Sequence, residues 1–292
     1  MNNYKIGTVI SLAIALVACP SDLFGQKKRP RGGSKSAATN PADPGGHSAA
    51  GVEAAKSRDY EKAIAEFTKA IEAEPTDAKN YFNRATAYRG ANKLVEALAD
   101  FTKAIELAPT NAGGYIGRGE VLLQQKQMDQ ALADFDKALE LAPNDASARR
   151  FRGFVYVSKS EWEKAIEDYS KVIQKVPDDD SAYERRGFAY RNLKKYKEAI
   201  ADYSKVISKD PKDPEGYRRR ASTHTMAGDS KSAAADFRAL LKIKPDDVDA
   251  QSRLKALETR ANSSPAATSP APAASPAVAP PAQASPAASP RS

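Results

Sequence analysis

The chain has 292 residues, of which 28% are charged, and a formal net charge of +8. Its single cysteine, Cys19, excludes an internal disulfide, and two distant histidines, His47 and His224, exclude a metal site of the Cys/His kind. The excess charge does not mark a nucleic-acid-binding core. Lys5, Lys27, Lys28, Arg29, Arg31 and Lys35 precede residue 47 with only Asp22 and Asp43 to offset them, and Arg291 alone follows residue 262; the middle keeps 38 of the 45 basic and 35 of the 37 acidic residues.

The first element is an apolar run from Ile6 to Ala18 behind Lys5. It has the length of a signal-peptide core and is too short to span a bilayer. Leu16-Val17-Ala18-Cys19 resembles the bacterial lipobox, in which cleavage precedes a cysteine that receives a lipid; Pro20 departs from the usual pattern. Three readings stand: lipidation at Cys19, ordinary cleavage near Gly25-Gln26 within a signal peptide of residues 1–25, or an uncleaved apolar helix on a cytosolic protein. Residues 26–46 are basic and then rich in Gly, Ser, Ala and Pro, which predicts a flexible linker. Residues 263–292 are almost wholly Ala, Pro and Ser and predict a disordered tail.

Between these ends the sequence repeats. Pro75, Pro109, Pro143, Pro177, Pro211 and Pro245 share one 34-residue interval. Twelve residues before each stands Ala63, Ala97, Ala131, Ala165, Ala199 or Ala233. Eight before stands an aromatic: Phe67, Phe101, Phe135, Tyr169, Tyr203 or Phe237. Twenty-four before stands a small residue: Gly51, Ala85, Gly119, Gly153, Gly187 or Ala221. The small residue lets two helices approach, the Ala and the aromatic share one face of a second helix at i and i+4, and the proline ends that helix. Two residues past each proline, Asp77, Asn111, Asp145, Asp179, Asp213 or Asp247 supplies the N-cap of the next helix. The units run 44–77, 78–111, 112–145, 146–179, 180–213 and 214–247. The first is degenerate, with a short or frayed first helix expected, and residues 248–262 (Ala250, Leu254, Leu257) predict a capping helix.

In the third unit the series Tyr115, Arg118, Gly119, Leu122, Ala131, Phe135, Ala138, Pro143 resembles the tetratricopeptide repeat. The resemblance implies an all-α fold, a right-handed superhelical solenoid of six helix-turn-helix units closed by a C-terminal capping helix and flanked by disordered ends. The chain departs from the family at the seventh position of a unit, normally apolar. Units two to six carry Arg84, Arg118, Arg152, Arg186 and Arg220, each followed sixteen residues later by Asp100, Asp134, Asp168, Asp202 or Asp236. A ladder of ion pairs between the two helices of each unit is the structural reading; a basic stripe for acidic ligands is the functional one.

The resemblance also implies that first helices line a concave surface that binds a partner. Positions 4, 8 and 11 are assigned to packing and positions 5, 9 and 12 to the groove. The candidate partner-binding residues are Phe82, Thr86 and Arg89; Ile116, Glu120 and Leu123; Arg150, Phe154 and Val157; Glu184, Phe188 and Arg191; and Arg218, Ser222 and Thr225. Aromatics beside arginines are a composition common at protein interfaces. The Lys/Asn pair by which some relatives clamp a chaperone's terminal carboxylate is missing, since positions 5 and 9 read Ser48/Val52, Phe82/Thr86, Ile116/Glu120, Arg150/Phe154, Glu184/Phe188 and Arg218/Ser222.

No catalytic constellation is legible. Gly113, Gly114 and Gly117 occupy repeat positions and form no phosphate loop, and His224 stands where other units have Tyr or Leu. The expectation is a non-enzymatic protein-protein interaction scaffold without cofactor or metal, exported to the cell envelope or periplasm, either lipid-anchored or soluble. Its partner is a protein or peptide and not a nucleic acid. The alternative is a structural spacer or self-associating surface protein.

Overall fold

The computed structural model describes residues 45–263. The apolar segment with Cys19, nearly all of the basic linker and all but the first residue of the Ala/Pro/Ser tail lie outside the described residues. The first helices of the six units are α1 (His47–Lys56), α3 (Ala78–Gly90), α5 (Ala112–Gln124), α7 (Ala146–Ser158), α9 (Asp180–Asn192) and α11 (Pro214–Met226). The second helices are α2 (Tyr60–Ala73), α4 (Leu94–Leu107), α6 (Met128–Leu141), α8 (Trp162–Lys175), α10 (Tyr196–Lys209) and α12 (Ser230–Ile243), and α13 (Val248–Ser263) closes the array. This is the all-α solenoid expected, and α1, at 10 residues against 13 in its counterparts, is the short first helix of the degenerate unit.

Local chemistry sets each boundary. The Asp77 carboxylate accepts the Lys79 N–H at 2.9 Å, Asn111 accepts from Gly113, Asp145 from Ala148, Asp179 from Ala182 and Asp213 from Glu215. Asp247 does the same for α13 through Ala250. Each removal of such a cap costs about 1 kcal/mol. The residue before each repeat proline accepts a backbone hydrogen bond from the N-cap residue, as in Asp77 N–H to Glu74 O at 3.2 Å and Asp145 N–H to Ala142 O at 3.0 Å. Proline thus holds the second place of a β-turn, where its fixed φ fits.

The turn inside each unit has a signature the sequence hides. Arg58, Asn92, Lys126, Ser160, Lys194 and Gly228 all have positive φ, between 59° and 83°, at the same 34-residue interval. The following N–H reaches back to the first helix, as in Lys93 N–H to Tyr88 O at 2.8 Å and Lys195 N–H to Tyr190 O at 2.9 Å. This satisfies carbonyls that the helix end would otherwise leave open.

The core lies between helices of a unit and between units. Ala63, Ala97, Ala131, Ala165, Ala199 and Ala233 are fully buried, as are Phe101, Phe135, Tyr169 and Tyr203. Each aromatic fills a space worth about 2–3 kcal/mol of apolar burial. The small residue of the first helix sits on its ring: a Cβ at Gly119 would lie 2.7 Å from Phe135, and one at Gly153 would lie 3.1 Å from Tyr169. The packing face differs from the sequence assignment. Position 8 is buried as expected, but its buried companions are positions 3 and 10 (Asn80, Gly114, Ala148, Ala182, Gly216; Ala87, Val121, Val155, Ala189, Thr223), while most of positions 4 and 11 stay half-buried. A first helix must touch both its own second helix and the preceding unit, so its buried face is wider than one i, i+4, i+7 stripe.

The Arg–Asp ladder is present in full. Arg84 grips Asp100 through Nε (2.7 Å) and Nη2 (3.0 Å), and Arg118–Asp134, Arg152–Asp168, Arg186–Asp202 and Arg220–Asp236 repeat the fork at 2.7–2.9 Å. In four rungs the third nitrogen crosses to the second helix of the previous unit: Arg84 to Thr68, Arg152 to Asp136, Arg186 to Ser170 and Arg220 to Ser204. The carboxylates are buried, down to 1% exposure for Asp168. Their hydrogen bonds push the Arg84, Arg118 and Arg220 guanidinium groups up from their ordinary value. Such arginines are committed to the scaffold and leave no free basic stripe.

Candidate functional site: the inner face

Curvature identifies the inner face. From α1 to α9 each first helix contacts the next first helix, whereas no pair of successive second helices touches to the same extent. The first helices are therefore on the short side of the bend, which is concave.

The fifteen groove candidates all lie on these helices, and none is fully buried. Their surroundings differ along the array. At its N-terminal end, Phe82 meets the edge of Phe101 with centroids 5.5 Å apart, and Arg89 pairs with Glu120 of the next unit. Burial pushes the Glu120 carboxyl up, against the pull of Arg89. A cavity of about 170 Å³ opens here, lined by Phe82, Thr86, Arg89, Ile116 and Glu120 together with Gly113, Gly117, Asp145 and Ser147. Gly113 and Gly117 leave the floor without side chains. A Cβ at Gly117 would lie 2.3 Å from Phe101. Ile116 and Leu123 also pack on neighbouring core residues, as Val157 does farther along. Thr86 and Thr225 turn their hydroxyls back onto Phe82 O and Ala221 O.

In the fourth and fifth units the face carries more aromatic and basic groups. Arg150 Nε lies 3.1 Å from Asp179, and the Phe154 ring holds the Arg185 guanidinium 4.8 Å from its centroid. Phe188 meets the edge of Trp162 at 5.8 Å and holds Arg191 at 5.0 Å. Tyr169 and Tyr203, whose rings lie against Gly153 and Gly187 of these helices, are fully buried, and among the described residues their hydroxyls have no hydrogen-bond partner. At the C-terminal end Glu184 pairs with Arg219 at 3.1 Å, and Arg218 is tied to Glu215, Asp247 and Asp249. Arg218 thus fastens the capping helix. His224 lies 3.4 Å from Asp229 and 4.0 Å from Asp236, between turn and ladder.

Arg185, Arg219, Trp162 and the two tyrosine hydroxyls were not among the groove candidates. Arg185 and Arg219 stand at position 6, outside the 5, 9, 12 pattern, and the tyrosines were assigned only to packing. The one available signal was the change from Phe to Tyr at 169 and 203.

The models of the tetratricopeptide repeat match residues 78–111, 112–145 and 181–213, a further TPR repeat model matches 153–194, and another tetratricopeptide repeat model matches 48–77. The chain belongs to the tetratricopeptide repeat family. The sixth unit follows from its geometry, since α11 and α12 carry the same cap, turn and Arg–Asp fork. No curated protein matches this tetratricopeptide repeat chain. Among solved structures it is similar to YrrB, a TPR protein described as having an unusual peptide-binding site, with 26% identity and a TM-score of 0.60 over 65% of this chain and 97% of that one. It is similar to the MamA protein at 26% identity and a TM-score of 0.51, covering 57% of this chain and 91% of that one. A tetratricopeptide repeat protein from Parabacteroides merdae covers 75% of this chain and 86% of its own at 21% identity and a TM-score of 0.51, which speaks for the fold alone. Tetratricopeptide repeats mediate protein-protein interactions, and no catalytic family matches. Among the described residues no group of His, Cys, Asp and Glu is placed to hold a metal ion, and no helix is long and apolar enough to cross a membrane.

Proposed function

We propose that this chain is a non-enzymatic scaffold that holds a segment of a partner protein along its inner face, and that it does so at the cell envelope after export. The observation that carries the reading is the continuous row of half-exposed aromatic and arginine side chains on α7 and α9. Phe154, Phe188, Arg185 and Arg191 are large and half-buried, and each of the two rings holds a guanidinium, at 4.8 Å for Arg185 and 5.0 Å for Arg191. Such residues dominate binding energy at protein interfaces. The peptide-binding site named for YrrB supports placing the partner on a tetratricopeptide array of this size. Export rests on the Ile6–Ala18 run, and membrane attachment on Cys19 as the lipid acceptor.

The test is co-purification from the native host. A Phe154→Glu/Phe188→Glu chain should lose its partner while its helical circular dichroism stays unchanged. Retention of the partner by that variant, or recovery of the chain alone as a self-assembly, would overturn the groove reading. Cys19→Ala should move the chain from the membrane to the soluble fraction; an unchanged distribution would rule out the lipid anchor.

A further inference from the structure

Arginines on the first helices obey one rule with two exceptions. Arg84, Arg89, Arg118, Arg149, Arg150, Arg152, Arg186, Arg218, Arg219 and Arg220 each have a carboxylate within ion-pair distance. Among the described residues, Arg185 and Arg191 do not; each lies over an aromatic ring of the inner face instead. They occupy α9 next to the two places where the core aromatic is Tyr rather than Phe.

Those tyrosines supply an independent observation. Both are fully buried, and among the described residues neither hydroxyl has a hydrogen-bond partner. Burial pushes both phenols up from their ordinary value. The cations acting on Tyr169 are Arg185 and Arg150, and those acting on Tyr203 are Arg191 and Arg219. The packing agrees: the Tyr169 ring lies against Gly153, next to the Phe154 that carries Arg185, and the Tyr203 ring against Gly187, next to the Phe188 that carries Arg191. Nothing in the core requires the hydroxyl, since Phe67, Phe101, Phe135 and Phe237 fill the same place in the other units.

Charge limits the ligand. Around Tyr169, Arg150 and Arg185 meet Asp179 and Asp168, the latter already held in the Arg152 fork; around Tyr203, Arg191 and Arg219 meet Glu184 and Asp202, the latter already held in the Arg186 fork. Each cluster retains one positive charge, which matches one carboxylate and undercompensates a doubly charged phosphate.

We propose that the fourth and fifth units select an acidic extended peptide, one carboxylate being taken by Arg185 with the Tyr169 hydroxyl and a second by Arg191 with the Tyr203 hydroxyl. This rests on the groove reading given under the proposed function and specifies its ligand. Binding of this kind requires each hydroxyl, fully buried in the free chain, to be uncovered by movement of the arginine that lies over the neighbouring ring. Both arginines are on α9, but the rings they lie over, Phe154 and Phe188, belong to the successive first helices α7 and α9, which are roughly 8–10 Å apart. An extended chain advances about 3.3 Å per residue, so the two acids stand about three residues apart.

Selection of phage-displayed random linear peptides on the immobilised full chain tests this. The expected result is enrichment of Asp or Glu pairs about three residues apart. A selected acidic peptide should bind about tenfold more weakly to Arg185→Gln or Arg191→Gln. Its Glu→Gln analogue should lose the same factor on the native chain and nothing further on the variants. Tyr169→Phe should weaken the acidic peptide several-fold without lowering the unfolding midpoint. Recovery of peptides without acidic enrichment, or of none, overturns the proposal, as does acidic enrichment that persists on Arg185→Gln/Arg191→Gln. Non-acidic peptides lost on Phe154→Glu/Phe188→Glu would leave the groove reading standing while ending this inference; peptides indifferent to both pairs of substitutions would end both.

Discussion

The ladder between the helices and the inner face use the same residue type to opposite ends. Arg152 on the ladder makes two bonds to Asp168 at 2.8 Å and a third to Asp136, with every nitrogen it needs engaged by protein. Arg185, on the next first helix, has only the Phe154 ring under it. Charge satisfaction therefore separates scaffold from surface better than charge itself does. An arginine whose fork is filled carries structure, while one left on an aromatic face is available.

The strongest way to break this contrast is Asp168→Ala. It strands Arg152 at a carboxylate position that is 1% exposed, and the expected loss is about 3 kcal/mol, read as a lower urea midpoint. The exposed Asp129, paired with Lys159, should lose less than about 0.5 kcal/mol on the same change. Equal effects would dissolve the distinction. Next in size, Tyr169→Phe should leave stability unchanged or raise it by about 1 kcal/mol, because it removes a buried hydroxyl with no partner. A clear loss in thermal melting would mean that the hydroxyl serves the fold. Arg185→Gln should cost less than about 1 kcal/mol, the worth of a cation–aromatic contact near the surface, and calorimetry distinguishes this from the ladder value.

The smallest effect concerns Arg218, an inner-face arginine that is filled like a rung. Its hydrogen bond, with that of the Ala250 N–H, pulls the Asp247 carboxyl down to about 2. The unfolded value is about 3.9. The folded value is the lower one, so the contribution is present above about pH 4 and is lost as pH falls towards 2. The protection of α13 amides, measured relative to their intrinsic exchange at each pH, should therefore fall over that window, and the difference from Asp247→Asn should vanish at its acid end. Protection independent of pH there would detach the capping helix from Arg218.

Much of the scaffold was legible because it repeats. Prolines, caps and the Arg/Asp pairs at sixteen residues recur in every complete unit, and each maps onto a bond in the structure. The positive-φ residues were not legible: Arg58, Lys126, Ser160 and Lys194 have side chains that do not favour that backbone, and the helix-end hydrogen bonds impose it. Positions 3 and 10 escaped because Asn80, Gly114 and Thr223 do not read as apolar, although all three are buried. The face of the groove was legible from helical spacing, but its electrostatics were not. Asp179 and Asp247 read as N-caps in sequence, and only the fold shows that they also neutralise Arg150 and Arg218 from the following turn. Arg185 lies outside the 5, 9, 12 pattern and meets Phe154 of the preceding unit, a contact that no local spacing announces.

The most direct measurement is a photo-crosslinking map of the full chain in its native host. A photoreactive residue is placed in turn at inner positions Ile116, Phe154 and Phe188 and at outer positions Gln130, Glu167 and Lys205. The account predicts crosslinks to one discrete partner from the inner positions alone, strongest at Phe154 and Phe188. Equal crosslinking from the outer positions, or products containing only the chain itself, would contradict it.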